Sequence, residues 1–269
     1  MKRIAIHSVP RSGSTWVGEI FNSNEKINYK YQPLFSYAFK GALTESTSLE
    51  RIHNFFQKIS NSDDEFINQS IERKLGRVPI FKKDHLYEVV AYKEVRYHHV
   101  LRNLLEKDSE IKVIGLVRSP LSVVNSWLKA PKEFRKDLGW KELDEWYFAP
   151  KKNQNKIEEY NGFEKWKEVA NLFEELQQEY SNRFYLLKYD DLLNNTEIEV
   201  KKMFSFCGIE FTKQTSLFLS NSSKTDASND AYSIYRINQA DDKWKKNLDP
   251  RMVFKIQNEL VNTKLEKYL

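Results

Sequence analysis

Cysteine is almost absent from this sequence, and long hydrophobic runs are missing altogether. The single cysteine, Cys207, excludes an intrachain disulfide and a cysteine-based metal cluster. No stretch approaches the roughly 18 apolar residues of a membrane span, and Met1-Lys-Arg leads directly into a predicted strand rather than a signal peptide. The sequence therefore predicts no transmembrane segment, and a cytosolic location is the simplest interpretation.

A strong charge of one sign is lacking as well. The chain has 43 basic and 38 acidic residues, which are well mixed and give a net charge of +5. This balance suits an anionic ligand but is too weak to predict a nucleic-acid-binding surface. Basic pairs such as Lys82-Lys83 and Lys245-Lys246 form no stripe, so we interpret them as solvated faces.

Aromatic residues, in contrast, are abundant, with 17 Phe, 14 Tyr and 6 Trp in a chain that is 40% hydrophobic. A chain of 269 residues with this composition can bury one substantial core. No internal repeat or low-complexity tract divides it. We therefore expect a single domain over residues 1–269, with insertions.

The stretch from Ile4 to Trp16 is predicted to form a strand, a tight loop and the start of a helix. The strand is broken at Pro10 and Gly13, and apolar residues then recur at helical spacing. Free amide hydrogens at a helix N-terminus favour a phosphate or sulfate group, although an ordinary turn that binds nothing is the alternative. The residues predicted to form this anion site are Pro10, Arg11, Ser12, Gly13, Ser14, Thr15 and Trp16.

A second strand-to-helix junction carries another candidate anion site. The run from Ile111 to Arg118 is almost continuously apolar, as in a strand that is buried on both faces of a parallel sheet. Ser119-Pro120 then favours a helix start, which places Ser126 roughly 9 Å along the helix axis. A long arginine side chain can bridge that gap, so we expect Arg118 and Ser126 to share a phosphate.

Strands and helices alternate along the rest of the chain. The sequence pattern predicts strands at residues 27–31, Tyr87–Tyr97 and Arg183–Asp191. It predicts a long amphipathic helix from Glu158 to Tyr180. This alternation predicts an α/β fold of three layers with a mainly parallel sheet of about five strands.

Together these motifs resemble the sulfotransferases that use 3'-phosphoadenosine 5'-phosphosulfate (PAPS). Pro10 to Trp16 matches the 5'-phosphosulfate loop without a gap and lacks the Gly-Lys-Ser/Thr ending of a Walker A loop. The Arg118 to Ser126 stretch resembles the 3'-phosphate signature. Tyr189-Asp-Asp-Leu192 and the stretch from Tyr235-Arg236 to Leu248 resemble two further family segments.

The resemblance implies a P-loop-like sulfotransferase fold and metal-free transfer of a sulfuryl group from PAPS to an acceptor. It implies that Arg11 and Lys93 are cationic clamps at the reacting centre, that Tyr189 lies near adenine and that Arg236 contacts the nucleotide. The Arg-Ser-Gly-Ser form of the loop and the Lys93 to Arg96 strand favour the carbohydrate and bacterial branch. A small-molecule or glycan acceptor is then expected, with the reacting hydroxyl on a carbohydrate or glycolipid.

The general base is left open by the sequence. Gln32 stands where many carbohydrate sulfotransferases carry a glutamate, and an amide cannot usefully accept a proton. Glu94 is the leading replacement, with His98, His99 or a residue on the insertions as the alternatives. Glu94 alternates with Lys93 along the strand, so only one of the two needs to face the cleft.

Two other interpretations compete with a sulfotransferase. A P-loop kinase would need an acidic magnesium ligand at a strand end, for which Asp190 and Asp191 are the candidates. A non-catalytic nucleotide- or carbohydrate-binding module would bind without turnover. The aromatic and charged segment from Ala130 to Asn155 is either a lid, an acceptor-binding insertion or a structural excursion.

Overall fold

A parallel β-sheet forms the centre of the fold in a computed structural model, which describes residues 1–222 and 241–269. The strand order is β2-β3-β1-β4-β5, and every neighbouring pair is parallel. Five parallel strands with intervening helices confirm the predicted α/β architecture. The strands within the described residues are β1 (Lys2–Ser8), β2 (Ile27–Tyr31), β3 (Val89–Glu94), β4 (Lys112–Val117) and β5 (Phe184–Lys188).

The register of the central strand β1 places the ends of three strands side by side. Ile6 lies opposite Lys93 of β3 and opposite Ile114 of β4, and the next residue, His7, lies opposite Glu94. Loops that follow β1, β3 and β4 therefore leave the sheet at one edge. Ligand sites of open α/β sheets lie at this carboxyl edge.

Helices cover both faces of the sheet. The longer helices bury apolar residues against strands that are themselves largely buried. The described helices are α1 (Ser14–Asn22), α2 (Leu49–Ser60), α3 (Ser70–Lys74), α4 (Leu101–Lys107), α5 (Pro120–Leu128), α6 (Glu142–Glu145), α7 (Pro150–Asn153), α8 (Phe163–Glu179), α9 (Tyr189–Asn194), α10 (Thr196–Cys207), α11 (Lys213–Ser222), α12 (Trp244–Asn247) and α13 (Pro250–Leu260).

Two apolar clusters, one on each face, complete the three predicted layers. One cluster joins the sheet to α2, α4, α5, α8 and α13, and the other joins it to α1, α9, α10 and α11. Along β3, Val90 and Tyr92 belong to the first cluster, whereas Val89 and Ala91 belong to the second. This alternation is the two-residue period of a strand that is buried on both faces.

Helix α8 begins later than its apolar spacing predicts, at Phe163 rather than near Glu158. The reason is Gly162, whose φ of 86° and ψ of 167° are not helical. A side chain at this position would meet the Tyr147 carbonyl oxygen at 2.7 Å, so a glycine is required where the two segments touch. Among the described residues, no helix is both long and apolar enough to cross a bilayer.

The segment from Ala130 to Asn155 packs against the body of the protein. Ala130 is fully buried, and Phe134 and Ala149 are buried in the first cluster. The Phe134 ring contacts the rings of Trp127 and Trp140 edge to face, with centroid distances of 5.3 and 5.8 Å. These residues anchor the segment to the structural core, which agrees with the structural interpretation among the three predicted ones.

Candidate functional site

The loop between β1 and α1 has the backbone conformation of an anion-binding nest. Arg11 and Gly13 have positive φ angles of 70° and 88°, on either side of Ser12. Alternating backbone handedness of this kind turns successive N–H groups towards one side. Helix α1 follows at once and has no acidic residue in its first turn, so the positive end of its dipole faces the loop.

Gly13 is needed in this loop for space as well as for its φ angle. A Cβ atom at Gly13 would lie 2.5 Å from Cε2 of the Tyr189 ring. Tyr189 begins α9 directly after β5, is buried, and also contacts the Trp16 ring at a centroid distance of 6.4 Å. The predicted nucleotide residues Gly13, Trp16 and Tyr189 are therefore in one packed group.

Buried polar atoms around the loop fit an anionic ligand. Four buried polar atoms have no hydrogen-bond partner among the described residues: the hydroxyl oxygens of Ser8, Ser12 and Ser119 and the indole nitrogen of Trp16. Leaving buried donors unpaired costs about 1–3 kcal/mol each. Phosphate and sulfate oxygens are acceptors for such donors, so the residues present fit the phosphates of PAPS.

Arg11 connects the loop to the helix that carries the second motif. Its Nε donates to Ser126 Oγ at 3.2 Å, and its Nη1 lies 3.3 Å from Oε1 of Glu133. We expected Ser126 to meet Arg118 through a shared phosphate. In this structure Ser126 instead contacts Arg11, because α5 runs back along the loop and brings its second turn beside the Arg11 side chain.

Arg118 lies at the carboxyl end of β4, as predicted. Its Nη1 donates to the carbonyl oxygen of Arg11 at 2.8 Å, and its guanidinium lies 4.9 Å from the centre of the Tyr189 ring. Nε and Nη2 both donate to the carboxylate of Asp241, with Nε at 2.7 Å from Oδ2. Asp241 thus accepts from the two guanidinium N–H groups that could otherwise bind a phosphate in a bidentate manner. Arg236, also predicted to bind nucleotide, lies outside the described residues.

Lys93 is the second predicted clamp and lies at the end of β3, next to β1. The side chain is almost fully buried, with Nζ 4.2 Å from the centre of the Tyr31 ring. Burial lowers the pKa of Lys93 to about 7, with further contributions from neighbouring charges. A bound anion favours the protonated ammonium form, so phosphate or sulfate binding should raise this pKa.

Glu94, predicted as the leading base, follows Lys93 at the end of β3, and the charges of the two groups act on each other. Strand alternation sends the two side chains to opposite faces of β3, and Glu94 Oε1 accepts a hydrogen bond from the Leu34 amide at 2.7 Å. Burial is the main reason that the pKa of Glu94 is raised above its ordinary value. A fully buried carboxyl group that is bonded to a backbone amide is badly placed to remove a proton from an acceptor.

The two histidines proposed as bases are also poorly placed. His98 is fully buried, with its Nδ1 3.1 Å from Nδ1 of His7 and its ring 4.5 Å from that of Tyr160. Burial lowers the pKa of His98 well below its ordinary value. His99 is half-buried, its pKa is lowered mainly by burial, and it contacts the Tyr97 ring.

Glu133 was missed by the sequence analysis. It lies in the segment that follows α5, its carboxylate pairs with Arg11, and its charge also acts on Lys93, Tyr31 and Lys152. No periodicity or motif marks this position. Its only signal in the sequence is that it comes seven residues after Ser126, in the segment for which an acceptor-binding insertion was one interpretation.

Metal ligands were not predicted, and the part of the chain that the structure describes contains no group of three or more His, Cys, Asp or Glu side chains able to hold a metal ion. Asp190 and Asp191, the candidate ligands of a kinase, lie in the first turn of α9. The cations that converge on the loop are the guanidinium groups of Arg11 and Arg118, each paired with a carboxylate, and the Lys93 ammonium.

The sequence profile of the family described as "Sulfotransferase domain" matches residues 1–267. The chain belongs to this sulfotransferase family. Comparison with curated protein sequences gives no significant match. The family assignment replaces the kinase and binding-module interpretations, and it makes PAPS the sulfuryl donor of this sulfotransferase.

Solved structures share the fold at low sequence identity. A mouse sulfotransferase, SULT7A1, solved with PAP, the desulfonated form of PAPS, has a TM-score of 0.57 and 15% identity, with 99% of this chain and 87% of that chain covered. A retinol dehydratase solved with retinol and PAP has a TM-score of 0.53 and 16% identity, with coverages of 98% and 82%. The sulfotransferase domain of the curacin biosynthetic pathway has a TM-score of 0.50 and 17% identity, with 96% of each chain covered.

Within this sulfotransferase, the donor supplies an activated sulfuryl group, and the protein supplies position and charge. The nest at Arg11 to Gly13 and the guanidinium of Arg118 are suited to hold its phosphates. Arg11 and Lys93 are suited to stabilise negative charge that grows on the leaving oxygen. An arginine guanidinium acts through its charge and its fixed N–H donors rather than by giving up a proton.

Proposed function

We propose that this sulfotransferase transfers the sulfuryl group of PAPS to a hydroxyl group of a carbohydrate or glycolipid. The observation that carries the proposal is an aromatic wall beside Lys93, formed by Tyr31, Phe35 and Phe66. The Phe66 ring lies 5.5 Å from that of Tyr31 and 5.9 Å from that of Phe35. Phe35 and Phe66 are 44% and 42% exposed, so both rings offer a face to a ligand.

Charged groups border the aromatic wall. The Arg96 guanidinium lies 4.2 Å from the centre of the Phe35 ring, and its Nε donates to Glu159 at 2.9 Å. Arg96 Nη1 also lies 3.4 Å from Gln32 Oε1. Sugars present apolar C–H faces together with hydroxyl groups, and binding sites for small molecules combine apolar surfaces with a few placed polar groups. An aromatic wall with a charged border is suited to this kind of acceptor.

The experiment is a panel of acceptors incubated with labelled PAPS and the purified protein. Oligosaccharides and glycolipids form one arm, and phenols, steroids and long-chain alcohols form the other. We expect label to appear on members of the first arm. Transfer confined to the second arm would contradict the carbohydrate proposal while leaving the sulfotransferase assignment intact.

A cytosolic location for this reaction also stays a proposal. It is supported by Cys207, the single cysteine of the chain, which is buried and free. Fractionation of cells that express the tagged protein is the test, and recovery with a membrane or secreted fraction would contradict it.

A further inference from the structure

Transfer to a hydroxyl group requires a base within hydrogen-bond reach of that hydroxyl. The candidates from the sequence do not meet this requirement, because Glu94 is bonded to a backbone amide and His98 is enclosed by aromatic rings. The amide side chain of Gln32 is no base. A carboxylate from another part of the chain has to be considered.

Glu133 is held at the junction of the donor loop and the aromatic wall. Its backbone N–H donates to the Ala130 carbonyl at 2.9 Å in a turn that ends α5. The next residue, Phe134, is fully buried and fixes this turn to the core. The Glu133 side chain remains 24% exposed, which distinguishes it from the enclosed Glu94.

The surroundings of Glu133 come from four separate segments. Arg11 pairs with Glu133 from the loop after β1. The charge of Glu133 also acts on Tyr31 at the end of β2, on Lys93 at the end of β3 and on Lys152 in α7. These are the two predicted clamps of the sulfuryl group, one ring of the aromatic wall and one further cation. A carboxylate at this point lies between the donor and acceptor sides.

We propose that Glu133 is the general base of this sulfotransferase. In the step, the proton of the acceptor hydroxyl passes to a Glu133 carboxylate oxygen while the acceptor oxygen forms its bond to sulfur. The bond from sulfur to the bridging phosphate oxygen breaks, and its electron pair stays on that oxygen as PAP leaves. The inference rests on the sulfotransferase activity of the family and not on the carbohydrate class of the acceptor.

The ion pair with Arg11 links this role to donor binding. Without nucleotide, the Glu133 carboxylate is engaged by the same guanidinium that is suited to hold the donor. Donor phosphates or sulfate compete for that guanidinium, so donor binding releases the Glu133 carboxylate from Arg11. The carboxylate is then available to the acceptor hydroxyl.

The test is Glu133→Gln, which keeps the shape of the side chain and removes its ability to take a proton. We expect kcat to fall about 100-fold to 10,000-fold, the range for loss of an acid or base, with little change in the acceptor KM. PAP affinity, measured by calorimetry without an acceptor, should stay the same or rise up to about fivefold, since a partly exposed ion pair is worth about 0–1 kcal/mol. Glu133→Asp retains a carboxylate, so its kcat should lie between that of Glu133→Gln and that of the parent protein.

Glu142→Gln is the matched control. Glu142 lies in the same segment and is 30% exposed, but it pairs with Lys136 rather than with Arg11. This variant should match the parent protein in kcat and in PAP affinity. Thermal unfolding of all variants identifies any loss that comes from misfolding.

Retention of the parent kcat by Glu133→Gln would overturn the proposal. So would a parallel fall of kcat and PAP affinity, because that pattern belongs to a residue that only maintains the donor site. The assay uses whichever acceptor the panel identifies, so an acceptor other than a carbohydrate would contradict the proposed function without deciding the role of Glu133. The PAP titration needs no acceptor, so it tests the expected nucleotide affinity in either case.

Discussion

The donor side of the cleft takes its residues from two strand-to-helix junctions, whereas the acceptor side is assembled from distant segments. Arg11 and Gly13 follow β1, and Arg118 follows β4. The acceptor side brings Lys93 of β3 together with the aromatic wall and with Glu133. Local chain geometry therefore defines the donor side, and tertiary packing defines the acceptor side.

The electrostatic arrangement differs between the two sides as well. In the donor site, Arg118 is paired with Asp241 and Arg11 with Glu133, so each cation already has an internal anion. On the acceptor side, Lys93 faces an aromatic ring and is deeply buried. Nucleotide binding exchanges one anionic partner for another on the donor side, while it brings a new charge to Lys93.

After Glu133→Gln, the largest effect is expected from Arg11→Ala. Charge on the leaving oxygen grows mainly in the transition state, so loss of this clamp should reduce kcat about 100-fold to 1,000-fold, with a smaller effect on PAPS affinity. Steady-state kinetics provide the measurement. Arg135→Ala is the control, since Arg135 is exposed and pairs with Asp137 on the surface. An increase in the KM for PAPS at unchanged kcat would make Arg11 a binding residue only.

The next largest effect is expected on the affinity for nucleotides that carry a 3'-phosphate. Arg118→Ala should weaken PAP binding about tenfold to a hundredfold relative to 5'-AMP, because a charge-assisted hydrogen bond contributes about 1.5–3 kcal/mol. Arg118 also holds the Arg11 carbonyl, and that loss should affect both nucleotides alike. The ratio of the two affinities therefore isolates the 3'-phosphate. Equal losses would place the 3'-phosphate elsewhere.

A smaller effect, on folding, is expected from Gly13→Ala. A positive φ costs a non-glycine residue roughly 1–2 kcal/mol, and here the new methyl group also meets the Tyr189 ring. Gly41→Ala is the control, because Gly41 has a φ of 72° and nothing within 4 Å of an added Cβ. Urea unfolding should give a greater loss of unfolding free energy for Gly13→Ala. Equal losses would mean that the contact with Tyr189 is unimportant.

The smallest effect on turnover is expected from Glu94→Gln. Because burial raises the pKa of Glu94 above its ordinary value of 4.5, the stability that this group provides is complete below pH 4.5 and is lost as the pH rises through the raised pKa. Glutamine stays neutral and can still accept from the Leu34 amide. The variant should therefore gain thermal stability relative to the parent as the pH rises above 4.5 and should keep its turnover. A large loss of turnover would restore Glu94 as the base.

The donor side could be predicted because its chemistry is contiguous in the sequence. The order of Pro10, Arg11 and Gly13 after a strand is enough to define a loop whose amides face an anion, and Arg118 is fixed by the end of an apolar strand. The contact of Ser126 with Arg11 could not be predicted, since it depends on how α5 packs beside the loop. The packing of Tyr189 on Gly13 depends in the same way on the neighbouring positions of β1, β4 and β5.

The acceptor side could not be predicted, because its residues come together only through tertiary packing. Strand alternation alone indicated that Lys93 and Glu94 would face opposite ways, but it could not show that Lys93 lies against the Tyr31 ring or that Glu94 accepts from the Leu34 amide. Both contacts depend on how β2 and the segment that follows it pack against β3. Glu133 has no local signal because its position depends on the burial of Phe134 between two tryptophan rings.

The most direct test of the donor site is the binding of PAP by calorimetry, with and without EDTA, in competition with ATP and magnesium. Among the described residues, backbone amides and two guanidinium groups face this site, and the two carboxylates beside them are paired with those guanidinium groups. PAP should therefore bind equally well when metals are removed and should bind more tightly than ATP with magnesium. Binding of ATP with magnesium in preference to PAP, or loss of PAP binding in EDTA, would contradict this account of the site.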